Sequence, residues 1–174
     1  QLDYYSSNNI ISGNNINANN GNGVWLLTSS NNIISGNNIT NNYGSINLNV
    51  FSSNNIIFGN KVTNNGWSVH ITESSNNAVF GNNVTDNYGG IWLRYGSSSN
   101  TVSGNNIVNN SYCGIWVDLQ SSNNAIYHNN LINNDPNQVL TDESMNVWDD
   151  GYPSGGNYWS CLLYTSPSPR DRQK

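Results

Sequence analysis

Short apolar segments alternate with stretches of asparagine, serine and glycine from residue 6 to residue 134. The phrase SSNNIISGNN occupies residues 6–15 and returns unchanged at 29–38, and edited copies follow at 52–61, 74–83, 97–106 and 121–130. Successive copies begin 22 to 24 residues apart. A regular period of this length is typical of a solenoid, in which each repeat forms one coil of a stack.

Each repeat carries three apolar segments. The first is a pair such as Ile10-Ile11, and the second is a single residue such as Ile16. The third alternates with period two, as in Ile91-Trp92-Leu93, which indicates a strand, and no repeat contains a helical 3.6-residue pattern. We therefore predict an all-β protein, a right-handed parallel β-helix of about six coils with three short strands each and a C-terminal cap.

Two other solenoids are excluded by the same pattern. A leucine-rich repeat needs leucines in an L-x-x-L-x-L frame, and that frame is missing from the sequence. A hexapeptide β-helix needs a period that is a multiple of six, which the spacing of 22 to 24 residues does not hold. The variable residue falls between the second and third segments, where we expect a loop.

Stacking also explains the asparagine. Equivalent residues of neighbouring coils lie about 4.8 Å apart, so a repeated charge would face a like charge. Asparagine is neutral, offers a donor and an acceptor, and tolerates left-handed turns. We predict ladders of stacked amides along the coils. The glycine that recurs in the phrase predicts a turn with positive φ, at residues 13, 36, 59, 81 and 104.

The sequence divides into three parts. We predict β-helix coils over residues 1–134, a truncated cap over 135–160 and a non-native tail over 161–174. The tail, CLLYTSPSPRDRQK, abandons the asparagine-rich composition, and residues 161–171 resemble a translated transposase-type sequencing adapter. Because residue 1 is Gln without a leader sequence, we expect the chain to be a piece of a larger parent protein.

Charge restricts the partners. Charged residues make up 9% of the sequence, against a usual fraction of about 25%. Without the tail only Lys61 and Arg94 are basic, against nine acidic residues, which gives a net charge of −7. Nucleic-acid binding requires a basic surface, so it is disfavoured. No run of about 18 apolar residues predicts a transmembrane segment.

The repeat S-x-N-N-x-(I/V)-x-G-N-N-(I/V)-x-x-N and the strand GIWL resemble the NosD-type and related carbohydrate-binding and sugar-hydrolase (CASH-like) right-handed β-helix repeats. The resemblance covers residues 6–134, and GNYWS at 156–160 is similar to the block that follows the coils in surface or periplasmic members. It implies an extracytoplasmic location and, for the NosD type, copper delivery. The scaffold supports many functions, so the resemblance identifies the fold more than the activity.

The third strand offers the best candidate binding surface. If its Val and Ile residues point inward, the residues beside them form outward columns on the solenoid. The predicted carbohydrate-binding residues on these columns are Trp25, Asn47, His70, Trp92, Arg94, Trp116 and Asp118. Exposed indoles suit the C–H faces of sugar rings, while amides suit their hydroxyls. The alternative is that Trp92 and Trp116 only stack on each other across neighbouring coils.

Catalytic and metal sites are harder to assemble. Arg94 and Asp118 form an opposite-charge pair in register, which either orients an acidic sugar or is a cross-strand ion pair. The acidic pairs Asp142-Glu143 and Asp149-Asp150 lie in the predicted cap, where we favour solvated or calcium-binding roles over catalysis. We predict no catalytic residues among the coils and no metal site, because His70, Cys113, His128 and Met145 fall on different coils, strands and turns. Copper and calcium are implied by the family resemblance only.

Three functions follow from the sequence. We favour a non-enzymatic module that is structural or binds a polysaccharide or cell-surface glycan. The first alternative is a fragment of a polysaccharide lyase, hydrolase or epimerase, and the second is a periplasmic copper-accessory protein. The sequence carries no predicted cofactor.

Overall fold

The chain winds as a stack of short β-strands. The structure is a computed structural model that describes residues 1–118, 120–142 and 144–160. Within these ranges it contains 19 strands of two to six residues and no α-helix. No described segment is therefore an apolar helix of membrane-spanning length. The predicted adapter-like tail, residues 161–174, and Glu143 lie outside the described residues.

Three parallel sheets run along the solenoid, and each coil gives one strand to each sheet. The first sheet contains β1 (Ile10–Ser12), β4 (Ile33–Ser35), β7 (Ile56–Phe58), β10 (Ala78–Phe80), β13 (Thr101–Ser103) and β16 (Ala125–Tyr127). The second contains β2 (Asn15–Asn17), β5 (Asn38–Thr40), β8 (Lys61–Thr63), β11 (Asn83–Thr85), β14 (Asn106–Val108), β17 (Asn130–Ile132) and β19 (Tyr158–Trp159). The third contains β3 (Asn22–Leu27), β6 (Gly44–Asn49), β9 (Trp67–Thr72), β12 (Gly89–Arg94), β15 (Cys113–Val117) and β18 (Asn137–Thr141).

The pairing register confirms the predicted repeat. Ile11 pairs with Ile34 and Ile34 with Ile57, so each residue stacks on its counterpart one repeat away. The three strands per coil coincide with the three apolar segments of the sequence. The all-β parallel solenoid of about six coils is therefore confirmed. We number the coils one to six by the phrases that begin at residues 6, 29, 52, 74, 97 and 121.

One apolar side chain from each of the two short strands and two from each long strand fill the interior. In coil two, the side chains of Ile34, Ile39 and Leu48 are fully buried, and Ile46 is 1% exposed. Long strands such as β9 alternate buried and partly exposed residues from Val69 onward. The inward orientation predicted for the valines and isoleucines of the third strand is confirmed, and the residues beside them face outward.

Three asparagine ladders lie inside the turns. Asn60 is 1% exposed, and its Oδ1 accepts hydrogen bonds from the backbone N and the Nδ2 of Asn37, at 3.0 and 2.9 Å. Its own Nδ2 donates to Ile34 O at 2.9 Å and to Asn82 Oδ1 at 3.0 Å. The first ladder is Asn9, Asn32, Asn55, Asn77, Asn100, Asn124 and Asn146; the second is Asn14, Asn37, Asn60, Asn82, Asn105, Asn129 and Asn157; the third is Asn19, Asn42, Asn65, Asn87, Asn110 and Asn134, and it ends on Gln138.

The two asparagines of the repeated NN pair have different structural roles. In coil two, Asn31 has a φ of 59°, whereas Asn32 turns inward as a ladder residue. Asparagine adopts this left-handed conformation more readily than most residues. The glycine that recurs in the phrase has a positive φ, as predicted. Its values are 61° to 67° at residues 13, 36, 59, 81 and 104. His128 takes that position in coil six with a φ of 56°.

The closing segment continues the ladders beyond coil six. Asn146 and Asn157 accept the last amides of the first two ladders, from Asn124 and Asn129, and β19 extends the second sheet. His128 does not itself end a ladder. Its Nε2 lies 3.1 Å from Ser154 Oγ and 3.3 Å from Asp150 Oδ1, so it fastens the closing segment to the last coil.

A ladder asparagine should contribute more to stability than an exposed one. We expect Asn60→Ala to lower the free energy of unfolding by roughly 2–4 kcal/mol, because the Asn37 donors and Ile34 O lose their buried partner. The matched control is Asn38→Ala, since exposed Asn38 donates only to Asn15 on the outer face. Its effect should stay within about 0.5 kcal/mol. Urea denaturation measures both, and equal losses would contradict an interior role for the ladders.

Candidate functional site

The register brings the predicted site residues into two neighbouring columns on the outer side of the third sheet. One column runs through Trp25, Asn47, His70, Trp92 and Trp116, which pair successively from β3 to β15. In the next column Thr72 pairs with Arg94. The Arg94 Nε lies 3.7 Å from Asp118 Oδ1, so the predicted opposite-charge pair is in place.

Three rings of the first column stack face to face. The Trp92 ring lies 4.6 Å from His70 at an interplanar angle of 9°, and 4.4 Å from Trp116 at 8°. The expectation that Trp92 is an exposed indole is wrong, because its neighbours leave it only 7% exposed. Rings that stack along the solenoid axis cover one another's faces. The column therefore presents ring edges to solvent rather than a flat platform.

Trp67 is the largest side chain on this surface that the sequence analysis missed. It begins β9, and its ring lies 4.4 Å from Trp92 and 6.0 Å from Trp116. It packs directly on the backbone of coil four at Gly89, where a Cβ would collide with the indole. We call Trp67, His70, Trp92 and Trp116 the aromatic stack.

Tyrosines from the preceding turn complete the aromatic surface. Tyr88 contacts Trp67 edge-on at 5.4 Å, and Tyr112 stacks on Tyr88 at 5.2 Å. A sequence signal existed for them, because a tyrosine lies one or two residues after the third-ladder asparagine in three coils, at Tyr43, Tyr88 and Tyr112. The period-two strand analysis did not extend into this turn.

A cleft of ≈ 250 Å³ opens at the coil-two end of the aromatic stack. The side chain of Tyr43 is 77% exposed and lies at its rim, whereas the short side chain of Asn47 leaves space at its floor. The residues that line the cleft are Asn22, Tyr43, Gly44, Ser45, Ile46, Asn47, Trp67, His70 and Trp92. The lining of the cleft thus combines aromatic rings with amides and includes no Lys, Arg, Asp or Glu side chain.

Burial and aromatic contacts change the chemistry of the charged groups. The Arg94 guanidinium carbon lies 4.1 Å from the ring centroids of both Trp92 and Tyr95, a cation–π arrangement. Burial raises the pKa of the Asp118 carboxyl, and the charge of Arg94 partly opposes that shift. Burial, with a smaller contribution from Arg94, lowers the pKa of His70 from 6.5 to about 4. His70 is therefore a neutral ring at physiological pH.

Unpartnered buried polar atoms concentrate on this face. Within the described ranges, six buried side-chain atoms lack a close hydrogen-bond partner, and five of them belong to predicted site residues: Trp25 Nε1, Asn47 Oδ1, Trp92 Nε1, Arg94 Nε and Asp118 Oδ1. The sixth is Ser45 Oγ on the same strand as Asn47. Arg94 Nε and Asp118 Oδ1 face each other as an ion pair at 3.7 Å, and the Trp92 indole N–H lowers the pKa of the Asp118 carboxyl, so these three groups interact with one another. Buried polar groups are normally paired, so a cluster of exceptions requires an explanation. The asparagine ladders, by contrast, pair their amides throughout.

Two wider depressions lie near the turn after the third sheet. One, of ≈ 470 Å³, is lined by Glu73, Tyr95, Gly96 and Gln120; the other, of ≈ 510 Å³, by Gln120, Ser122, Asp142 and Ser144. Both are open to solvent and contain an acidic residue but no indole. The smaller cleft at the aromatic stack is therefore the better candidate site for a sugar ring.

The described residues do not assemble a copper or calcium site. No group of three or more His, Cys, Asp and Glu residues converges within residues 1–118, 120–142 and 144–160. His70 belongs to the aromatic stack and His128 to the closing segment. Burial raises the pKa of Cys113 to about 12, so this thiol stays protonated and unsuited to metal binding. The ligands that copper prefers are therefore not brought together.

The buried His70 should make stability depend on pH. The unfolded chain binds a proton at His70 near pH 6.5 and the folded chain only near pH 4, so the free energy of unfolding falls as the pH falls through this interval. We expect His70→Asn, which repeats the residue of coil two, to flatten that fall. Urea denaturation of both proteins at pH 6.5 and pH 4 measures the difference, and parallel losses would show that His70 titrates normally when folded.

Comparisons with known proteins agree with this architecture. The sequence model of the family described as "right handed beta helix region" matches residues 2–131. The sequence matches none of the curated proteins. A crystal structure of a double mutant of the periplasmic alginate epimerase AlgG superposes with a TM-score of 0.64 and 23% sequence identity, over 86% of this chain and 36% of that one. The chain thus spans about a third of the epimerase structure, and the likeness concerns the fold. Since the family match covers most of the coils, the predicted right-handed winding is confirmed, and the chain belongs to the right-handed β-helix family.

Proposed function

We propose that this chain is a non-enzymatic, extracytoplasmic β-helix module that binds a polysaccharide through the outer face of its third sheet. The observation that carries the proposal is the cleft at the coil-two end of the aromatic stack, whose lining combines Tyr43, Trp67 and His70 with the amides of Asn22 and Asn47. The Oδ1 of Asn47 is buried there without a hydrogen-bond partner. A sugar has the matching chemistry, because its C–H faces pack on rings while its hydroxyls donate and accept hydrogen bonds.

The position of the face on the scaffold supports this proposal. The third sheet has the longest strands, and successive coils repeat its outward columns at the spacing of the strands. A polymer that lies along the solenoid axis would meet related side chains coil after coil. The similar fold of a protein named as a periplasmic alginate epimerase adds a precedent for sugar polymers and for the extracytoplasmic location. The division into coils at 1–134 and a cap at 135–160 belongs to the same proposal.

The second candidate is a polysaccharide-modifying enzyme, and one observation favours it. The raised pKa of Asp118 is a property of general acids. Glycosidases pair such an acid with a second carboxylate about 5–10 Å away. Asp142 follows β18 as Asp118 follows β15, and its charge contributes to the raised pKa of Asp118. The binding module is nevertheless the stronger proposal, because Asp118 is held by Arg94 and its side chain is only 12% exposed. The copper-accessory function is not pursued, since the described residues bring no copper ligands together.

Binding should depend on the aromatic stack. In a panel of neutral and acidic polysaccharides, we expect the protein to bind at least one, with a change in tryptophan fluorescence because the stack holds three of the six tryptophans. Trp92→Ala should abolish that binding, and Phe80→Ala should leave it unchanged. Phe80 is a matched control because it also stacks across coils, on Phe58 at 5.3 Å, but on the first sheet.

Circular dichroism melts of both variants separate loss of binding from loss of fold. Equal binding by Trp92→Ala while it stays folded would contradict a site on this face, and a protein that binds no polysaccharide would contradict the proposed function itself.

Catalysis has its own test. If the chain acts on the polysaccharide that it binds, Asp118→Asn should abolish the chemical change while binding persists, because the amide cannot transfer a proton. Size-exclusion chromatography and NMR of the polymer after incubation with the protein detect depolymerisation and epimerisation. An unaltered polymer at full occupancy is the outcome that the binding module predicts.

A further inference from the structure

One position interrupts the aromatic column of the third sheet. In register, the column contains Trp25, Asn47, His70, Trp92 and Trp116, so coil two places an amide where the following coils place rings. One face of the His70 ring is covered by Trp92. The opposite face is turned toward coil two, where no ring follows. The column of rings is thus interrupted by an amide at Asn47, next to the imidazole of His70, and we call this interruption the gap.

The cleft coincides with this gap. Asn47 has a short side chain in register with His70, so this outward position of β6 leaves room beneath Trp67 and His70, whereas the space at Gly44 is taken by the Asn22 side chain. The cleft volume of ≈ 250 Å³ is below the range of about 300–1,000 Å³ that drug-sized ligands occupy. The space therefore suits one ring of a ligand rather than several. Tyr43 stands exposed at the rim, where it can cover that ring from the side.

The polar groups at the gap match hydroxyls. Asn47 Oδ1 is a buried acceptor without a donor, and Asn22 brings a second amide to the lining of the cleft. A hydroxyl can pair with the oxygen and with the nitrogen of an amide, because it donates one hydrogen bond and accepts others. Leaving such atoms unpaired is costly, so pairing them on binding contributes to affinity and to specificity.

Charge narrows the ligand class. No Lys or Arg lines the cleft, and His70 is neutral because of its lowered pKa. Arg94 is already engaged by Asp118 and by the rings of Trp92 and Tyr95. The sequence as a whole has a net charge of −5. A carboxylate or sulfate on the sugar would therefore meet no cation and would be repelled at long range.

We propose that the gap at Asn47 binds one uncharged pyranose ring, which stacks on the free face of His70 as the next member of the column. The inference rests on the proposed polysaccharide binding and adds its position and its ligand class. It assigns Asn47 as the specificity-determining residue, because its short side chain creates the gap. The stack acts as a rigid wall whose exposed end is the binding surface.

Filling the gap tests the proposal. Asn47→Trp should complete the column from Trp25 to Trp116 and occupy the space of the sugar ring. We expect at least a tenfold loss of affinity for the neutral polysaccharide that binds best in the panel, with an unchanged or raised melting temperature, because the new indole gains stacking partners. Asn49→Trp is the matched control, since it adds an indole two residues along the same strand but outside the cleft.

A second variant avoids any question about folding. Tyr43→Ala removes an exposed ring at the rim, and we expect affinity to fall about tenfold with no change in the melting temperature. Phe51→Ala, on the same coil and also exposed, should bind like the unaltered protein because Phe51 is outside the cleft.

The outcomes separate the two proposals. If neither neutral nor acidic polysaccharides bind, the proposed function is wrong and this inference falls with it. If a polysaccharide binds and Trp92→Ala abolishes binding, but folded Asn47→Trp and Tyr43→Ala bind normally, the face binds sugar elsewhere and the gap is not the site. If the protein binds polyuronates in preference to neutral polymers, the assigned ligand class is wrong.

Discussion

The stacking of each residue on its own counterpart, one strand spacing of about 4.8 Å away, is the constraint on which this structure depends. A side chain that repeats in every coil contacts its own copies in the neighbouring coils, so it must interact favourably with them. The amide of asparagine does so, because its Nδ2 donates to the Oδ1 of the next coil while that Oδ1 also accepts a backbone N–H, as between Asn37 and Asn60. Three such ladders fill the turns and allow the chain to bury polar groups with their hydrogen bonds made. A charged residue could not repeat in this way, which accounts for a sequence with only 9% charged residues.

The same constraint governs the outer surface, with a different result. Rings that repeat on one column stack on each other, so each ring covers the faces of its neighbours. Trp92 is therefore nearly buried between His70 and Trp116. A recognition surface then arises where the repetition stops. Asn47 breaks the column in coil two, and the cleft forms there. Function in this solenoid therefore depends on an exception to the repeat, whereas stability depends on the repeat itself.

Most of the fold could be predicted from the sequence because each element is encoded locally and repeated six times. The alternation around Val69 identifies the inward face, and the recurring glycine marks a left-handed turn. The site was less predictable. The register of the outward columns could be predicted from the repeat. The burial of Trp92, however, depends on Trp67, which lies outside the alternating segment and packs on the backbone at Gly89. Contacts between different positions of neighbouring coils are tertiary, and no periodicity in one strand reveals them.

The most direct test of the central claim is a map of the six indole N–H groups by ¹H–¹⁵N NMR during titration with the neutral polysaccharide fragment that binds best. The account predicts that the signals of Trp67 and Trp92 shift most, because these indoles line the cleft below His70. The signals of Trp148 and Trp159, which pack together at the closing segment, should not move. Shifts confined to Trp148 and Trp159, or equal shifts of all six, would contradict a binding site at the interruption of the aromatic column.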